Sequence, residues 1–94
     1  MGEIGATMGF KINQLVKLKS AVDVIQAARE NRTEFYKAGR EVTLHQVANA
    51  IFRVVIFNGE SSYKLMSTDN TIRSNWVREK HLQPYSSLLS KLKD

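Results

Sequence analysis

Three consecutive runs in the second half of the chain decide its fold: Phe52-Arg-Val-Val-Ile-Phe57, Tyr63-Lys-Leu-Met66 and Thr71-Ile-Arg-Ser-Asn-Trp-Val77. Each run is rich in β-branched and aromatic residues, which favour extended strands. Asn58-Gly59 separates the first two runs and readily adopts the positive φ angles that a tight hairpin turn requires. The runs therefore predict three consecutive antiparallel strands. Because so small a meander is stable only when it buries one face, we expect a further strand or a helix to pack against it.

A first strand is predicted ahead of this meander. Val16 and Leu18 alternate with Lys17 and Lys19, which gives the segment one buried face and one wet face. A tight turn at Asn13-Gln14 is expected to precede the strand, since asparagine tolerates left-handed backbone.

A helix is predicted from about residue 21 to residue 31. The hydroxyl of Ser20 can cap its N-terminus, and Asp23 lies in the first turn, where the helix dipole favours an acid. Val22 and Ile25 recur at helical spacing, whereas residues 29–34 are wholly polar and are expected to lead into a loop.

Residues 41–51 fit two structures. Thr43 and Gln46 have the spacing of a capping box, which predicts a helix. Val42, Leu44 and Gln46 also alternate as they would in a strand. The sequence leaves both structures open.

The C-terminal segment completes a mainly β fold of the α+β class. Residues 80–84 are typical of a tight turn or a single 3₁₀ turn, and residues 86–93 of a short C-terminal helix. The prediction is a curled antiparallel sheet with a helix inserted after the first strand.

Size and composition indicate a single domain. The chain has 94 residues, no cysteine and a formal charge of +5. Without cysteines there are no disulfides or thiolate metal sites, so we expect a cytoplasmic protein. No apolar run approaches the roughly 18 residues of a membrane span. Met8 precedes a glycine as Met1 does, which suggests that residues 1–9 are a flexible leader or an artificial extension and residues 10–94 the domain.

The two ends of the domain together resemble small SH3-like barrels, including KOW-type modules and short proteins of phages and mobile elements. The opening, Phe10-Lys-Ile-Asn-Gln-Leu-Val-Lys-Leu18, resembles their first strand. Tyr63-x-Leu65 followed by Trp76-Val77-x-Glu79-x-x-Leu82-x-Pro84 resembles their closing strand and terminal turn. The resemblance implies that the first and the last two strands share one curled sheet, with Leu82 plugging the end of a barrel. Such barrels bind nucleic acids or peptides or serve structural roles, so the resemblance does not select a function.

The sequence offers no set of residues for catalysis, for a metal or for a cofactor. His45 and His81 are the only histidines, and neither has a second histidine or a carboxylate at metal-ligand spacing. Nucleophile elbows and phosphate-binding glycine loops are also missing. We therefore expect a protein that is not an enzyme.

Binding is the function that remains, and two kinds of partner stay open. One is nucleic acid, held without sequence preference by cations around the only tryptophan. The residues proposed for this site are Lys17, Lys19, Arg73, Trp76 and Arg78. The other is a protein, with the chain acting as a phage-type modulator of a host complex or as a small self-associating subunit.

The direction of Trp76 decides whether those residues form one surface. In a regular strand Arg73 and Trp76 lie on opposite faces, so both point outward only if a bulge intervenes. The alternative is that Trp76 closes the core opposite Val16 and Leu65. Tyr36, within the basic stretch 29–40, is a second candidate for an exposed aromatic residue.

Overall fold

The structure, a computed structural model, describes residues 9–85. Within that range it contains seven strands, two α-helices and one 3₁₀ turn. In chain order these are β1 Leu15–Leu18, α1 Ala21–Asn31, β2 Phe35–Lys37, α2 Leu44–Asn49, β3 Phe52–Phe57, β4 Ser62–Ser67, β5 Ile72–Ser74, β6 Val77–Arg78, the 3₁₀ turn Glu79–His81 and β7 Leu82–Pro84. The expected C-terminal helix, and the leader up to residue 8, lie outside the described residues.

One antiparallel sheet contains all the strands, in the order β2-β5-β4-β3-β1-β7, with β6 as a further partner of β4. β3 and β4 form the predicted hairpin, in which Val54 lies opposite Leu65. Asn58 closes the turn, because its Oδ1 accepts hydrogen bonds from the backbone N–H groups of Glu60, Ser61 and Ser62. The predicted run of antiparallel strands is confirmed, except that the third run, residues 71–77, forms two short strands, β5 and β6, which both pair with β4.

Helix α1 has the bounds that the sequence predicts. Ser20 Oγ accepts a hydrogen bond from the N–H of Asp23 at 3.3 Å, as expected of an N-cap. Val24 and Ala27 are buried, so this side of the helix covers the sheet. The helix ends at Asn31, and its C-cap residue, Arg32, adopts a left-handed conformation with φ 55°.

Helix α2 settles the ambiguity of residues 41–51 in favour of a helix. Thr43 Oγ1 accepts from the N–H of Gln46 at 3.1 Å, and Gln46 Oε1 accepts from the N–H of Thr43 at 3.0 Å, which is a complete capping box. Val47 is the buried residue of this short helix. The chain then enters β3 directly.

Two short strands add to the sheet that the sequence predicts. Phe35–Lys37 was expected to be loop, but it pairs with β5 as β2. Leu82–Pro84, expected to be turn, pairs with β1 as β7. The sheet is open, with β2 and β7 at its two ends, so the described residues do not form a closed barrel.

The core lies between the helices and one face of the sheet. It contains Val16, Leu18, Val24, Val47, Phe52, Val54, Tyr63, Leu65, Ile72, Val77 and Leu82. The alternation predicted for β1 is confirmed, since Val16 and Leu18 are at most 1% exposed. Among residues 9–85 no helix is long and apolar enough to cross a membrane.

Candidate binding surface

An interruption between β5 and β6 turns three of the proposed site residues outward. The exposed residues are Arg73, Trp76 and Arg78, and the buried residues between them are Ser74 and Val77. The alternation slips by one position at Asn75, as it does in a β-bulge. The condition under which Arg73 and Trp76 share the outer side is therefore met.

Asn75, where the alternation is interrupted between β5 and β6, is held in place by the residues that link α1 to β2. Its Oδ1 accepts a hydrogen bond from the N–H of Glu34 at 2.7 Å, and its Nδ2 donates to the carbonyl of Arg32 at 3.1 Å. Thr33 Oγ1 donates to the carbonyl of Trp76 at 2.6 Å. Thr33 is only 3% exposed, so this last hydrogen bond is shielded from water. Packing of the link against the sheet thus fixes the outward direction of Trp76.

Trp76 lies on the surface, with 37% of its area exposed. The hypothesis that it closes the core is therefore wrong. Lys64 Nζ lies 5.1 Å from the centroid of the indole ring, within the range of a cation–π interaction. An aromatic face and a cation are therefore presented together on the outer side of β4 and β6.

The strand register aligns Arg73 with three further side-chain positions in a row across the outer side of the sheet. Tyr36 is opposite Arg73, Arg73 is opposite Met66, and Met66 is opposite Arg53. Neighbouring strands lie about 4.8 Å apart, so the row spans roughly 14 Å. Lys64 lies on the same side of β4 as Met66, two residues before it.

Most of this row lines one groove of about 420 Å³, which we call the outer groove. Its lining residues are Tyr36, Val55, Ile56, Lys64, Leu65, Met66, Arg73, Ser74 and Asn75. Lys64 and Arg73 are its cations, and no carboxylate is among these residues. The outer groove therefore combines an apolar floor, one aromatic ring and positive charge.

Tyr36 is 44% exposed, and its ring is anchored at the hydroxyl. The hydroxyl donates a hydrogen bond to Glu34 Oε1 at 2.7 Å. This bond, helped by partial desolvation and the nearby carboxylate charge, raises the pKa of Tyr36 above its ordinary value of 10.0. The hydrogen bond therefore fixes the position of the exposed ring.

The structure separates Lys17 and Lys19 from Arg73, contrary to the prediction that they belong to one site. β1 pairs with β3 and β7, so β3 and β4 stand between it and β5. Lys17 is half-buried, and its Nζ donates to the carbonyl of Asn49 at 3.4 Å. Lys19 instead shares a second groove with Arg78. The five residues proposed from the sequence therefore do not form one patch.

Arg78 links two parts of the surface. It shares a hollow with Trp76 and Arg32 on one side, and it lines the groove that contains Lys19 on the other. Trp76 in turn contacts Lys64, a lining residue of the outer groove. Lys64, Trp76 and Arg78 therefore lie next to one another in this order, starting at the outer groove.

A strip of apolar side chains is also exposed on β3. Val55, Ile56 and Phe57 are 40%, 45% and 41% exposed, although they are consecutive residues of one strand. The β3–β4 register shifts between Val54 and Ile56, which interrupts the alternation at this point. We call these three residues the apolar strip.

Neither histidine belongs to a group of side chains, within residues 9–85, that could hold a metal ion. His45 is exposed on α2, whereas His81 is 1% exposed and its Nδ1 lies 3.1 Å from Asp23 Oδ1. Residues 9–85 contain no group of three or more His, Cys, Asp or Glu side chains placed to hold a metal ion.

Sequence reasoning missed Lys64, Met66 and Arg53 as members of the surface. The alternation in Tyr63-Lys-Leu-Met66 places Lys64 and Met66 on the face opposite the buried Leu65, and that signal was available. Tyr36 was recognised as an exposed aromatic residue, but its position beside Arg73 depends on the pairing of β2 with β5.

Comparison with models of known protein families, with curated proteins and with solved structures finds no match to this chain.

Proposed function

We propose that the protein is a non-enzymatic binding module for single-stranded nucleic acid, and that the outer groove with Trp76 is its binding surface. The observation that carries the proposal is the composition of this surface. It presents two exposed aromatic rings, Tyr36 and Trp76, among the cations Lys64 and Arg73, and within residues 9–85 no carboxylate lines the groove.

The chemistry suits an unpaired strand better than a duplex. Sequence-tolerant binders of single strands combine a positive groove that follows the phosphates with aromatic rings on which bases stack. The outer groove lies on a sheet and not on a protruding helix. Its ring, Tyr36, and the neighbouring Trp76 can stack on bases only when those bases are unpaired.

The resemblance of the chain ends to SH3-like and KOW-type modules supports the same proposal. Part of that class binds nucleic acids, and the antiparallel sheet with a helix after β1 is compatible with an opened version of it. A small cytoplasmic protein of phage or mobile-element type is the biological setting that this resemblance suggests.

The proposal is tested by anisotropy titration of a labelled oligothymidine at low and moderate salt. Affinity should fall with salt, with a log–log slope of about −0.7 for each phosphate neutralised. Tyr36→Ala should weaken binding about tenfold, in line with roughly 1–3 kcal/mol for one stacked base.

A pair of double variants locates the site. Lys64→Gln with Arg73→Gln should weaken binding by about tenfold or more, because two phosphate contacts are lost. Lys17→Gln with Lys19→Gln removes the same charge from β1 and the residue after it, and should have little effect. Equal losses in both variants would mean that only net charge matters, and no binding of the oligonucleotide at low salt would remove the proposal.

A protein partner is the second candidate, and the apolar strip favours it. Three consecutive large apolar side chains exposed on one strand are typical of a surface that another protein covers. Ile56→Lys should then abolish association with a partner or between copies of the chain. Sedimentation measures this association, which should depend little on salt concentration. A monomer whose sedimentation the substitution leaves unchanged would argue against self-association.

A further inference from the structure

A second groove, separate from the outer groove, lies beside the 3₁₀ turn and is lined by several charged residues. It has a volume of about 420 Å³, and we call it the basic cleft. Its lining residues are Phe10, Lys19, Ser61, Arg78, Glu79, Lys80 and Leu82, none of which lines the outer groove.

The N-terminal wall of the basic cleft is fastened to the sheet. The N–H of Phe10 donates to Tyr63 Oη at 2.8 Å, and the N–H of Gly9 donates to Glu79 Oε2 at 2.8 Å. The rings of Phe10 and Tyr63 meet edge to face, with centroids 5.4 Å apart. The Phe10 ring is therefore held in place before any ligand arrives.

The opposite wall is fixed by backbone. The N–H of Glu79 donates to the carbonyl of Ser61 at 2.8 Å, which ties the start of the 3₁₀ turn to the residue before β4. The N–H of Lys19 donates to the carbonyl of His81 at 3.0 Å, which ties the end of the turn to the residue after β1. A largely preformed shape is what small-ligand sites generally have.

Some charged side chains of the cleft have partners within residues 9–85, and others form no ion pair there. Glu79 is engaged by the N–H of Gly9, and Lys80 Nζ is paired with Glu30 Oε1 at 2.9 Å. Within residues 9–85 neither Lys19 nor Arg78 forms an ion pair, and both are exposed at the cleft. Two cations thus face a groove that also presents an aromatic ring.

We propose that the basic cleft binds a small organic anion, with its carboxylate or phosphate between Lys19 and Arg78 and its apolar body against Phe10. A guanidinium can bind either oxyanion through two parallel hydrogen bonds, and the ammonium adds a point charge. The volume lies within the range of roughly 300–1,000 Å³ typical of small-molecule sites. This site is independent of nucleic-acid binding at the outer groove.

The test is a titration of ¹⁵N-labelled protein, followed by amide chemical shifts, with four probes. Phenyl phosphate and benzoate carry a ring and an oxyanion, inorganic phosphate carries the charge alone, and benzyl alcohol carries the ring alone. The two ring-bearing anions should shift the amides of Phe10, Lys19 and Ser61 saturably and bind about tenfold or more tighter than the other two probes. Their relative affinity tells a phosphate ligand from a carboxylate one.

Two double variants with the same loss of charge complete the test. Lys19→Gln with Arg78→Gln should weaken phenyl phosphate binding by about tenfold or more, whereas Arg29→Gln with Lys37→Gln, from α1 and β2, should not. Unchanged thermal midpoints would show that both variants fold. Inorganic phosphate binding as tightly as phenyl phosphate, retained binding in the first variant, or no saturable shift at the cleft would each overturn the proposal.

Discussion

Asp69 fixes the turn between β4 and β5 with one carboxylate oxygen. Its Oδ1 accepts hydrogen bonds from Thr71 Oγ1 at 2.7 Å, from Ser67 Oγ at 2.7 Å and from the N–H of Thr71 at 3.1 Å. These bonds favour the ionised form and lower the pKa of Asp69 from 3.8 to about 2. Since the folded pKa lies below the unfolded one, the stabilisation is complete above the unfolded value and is lost as pH falls through the folded value.

Asp69→Asn should therefore lower the urea midpoint near neutral pH, and its difference from wild type should shrink between about pH 4 and pH 2. Urea unfolding followed by Trp76 fluorescence across this range measures the effect. Glu60→Gln, at the exposed tip of the neighbouring hairpin, is the matched control. A difference that stays constant down to pH 2 would contradict the role given to the ionised carboxylate.

Among the elements, α2 depends most on its cap. It has 6 residues, fewer than an isolated helix needs, and it buries mainly Val47. Thr43→Ala removes the side-chain half of the capping box and should cost about 1 kcal/mol of unfolding free energy. Thr68→Ala, at an exposed turn position, should cost much less in the same denaturant titration. Equal costs would show that the cap does not stabilise the fold.

At the scale of the whole molecule, the pair of Asp23 and His81 joins α1 to the 3₁₀ turn and so to β7. Burial raises the pKa of Asp23, but hydrogen bonds from His81 and Ser20 outweigh this and leave it lowered. His81→Ala removes a buried ring and this contact, so it should cost about 2–4 kcal/mol. His45→Ala, on the exposed side of α2, should leave the denaturation midpoint almost unchanged. A small loss in His81→Ala would mean that α1 is held by Val24 and Ala27 alone.

The sequence predicted what local patterns determine and missed what distant pairing determines. Ser20 and Asp23 specify the start of α1, and Asn58-Gly59 the central hairpin, because cap and turn chemistry act over a few residues. The strand at Phe35–Lys37 has only three residues, and its structure comes from pairing with β5, which no local pattern indicates. The same reason explains the site. Trp76 and Arg73 were predicted as binding residues from the sequence. That both point to the same side of the sheet depends on the contacts of Asn75 with Arg32 and Glu34.

The open sheet also bears on how the protein behaves when it is concentrated. An open sheet has two edges that could recruit strands from other molecules and grow into fibrils. Among residues 9–85 the end strands β2 and β7 have three residues each, and Pro84 on β7 has no N–H to donate. At the other end, the N–H of Arg40 donates to the carbonyl of Lys37, so the chain folds back on β2. An incoming strand would find too few backbone groups to form a ladder. The end strands β2 and β7 therefore offer little backbone for fibril growth, although the sheet is not closed.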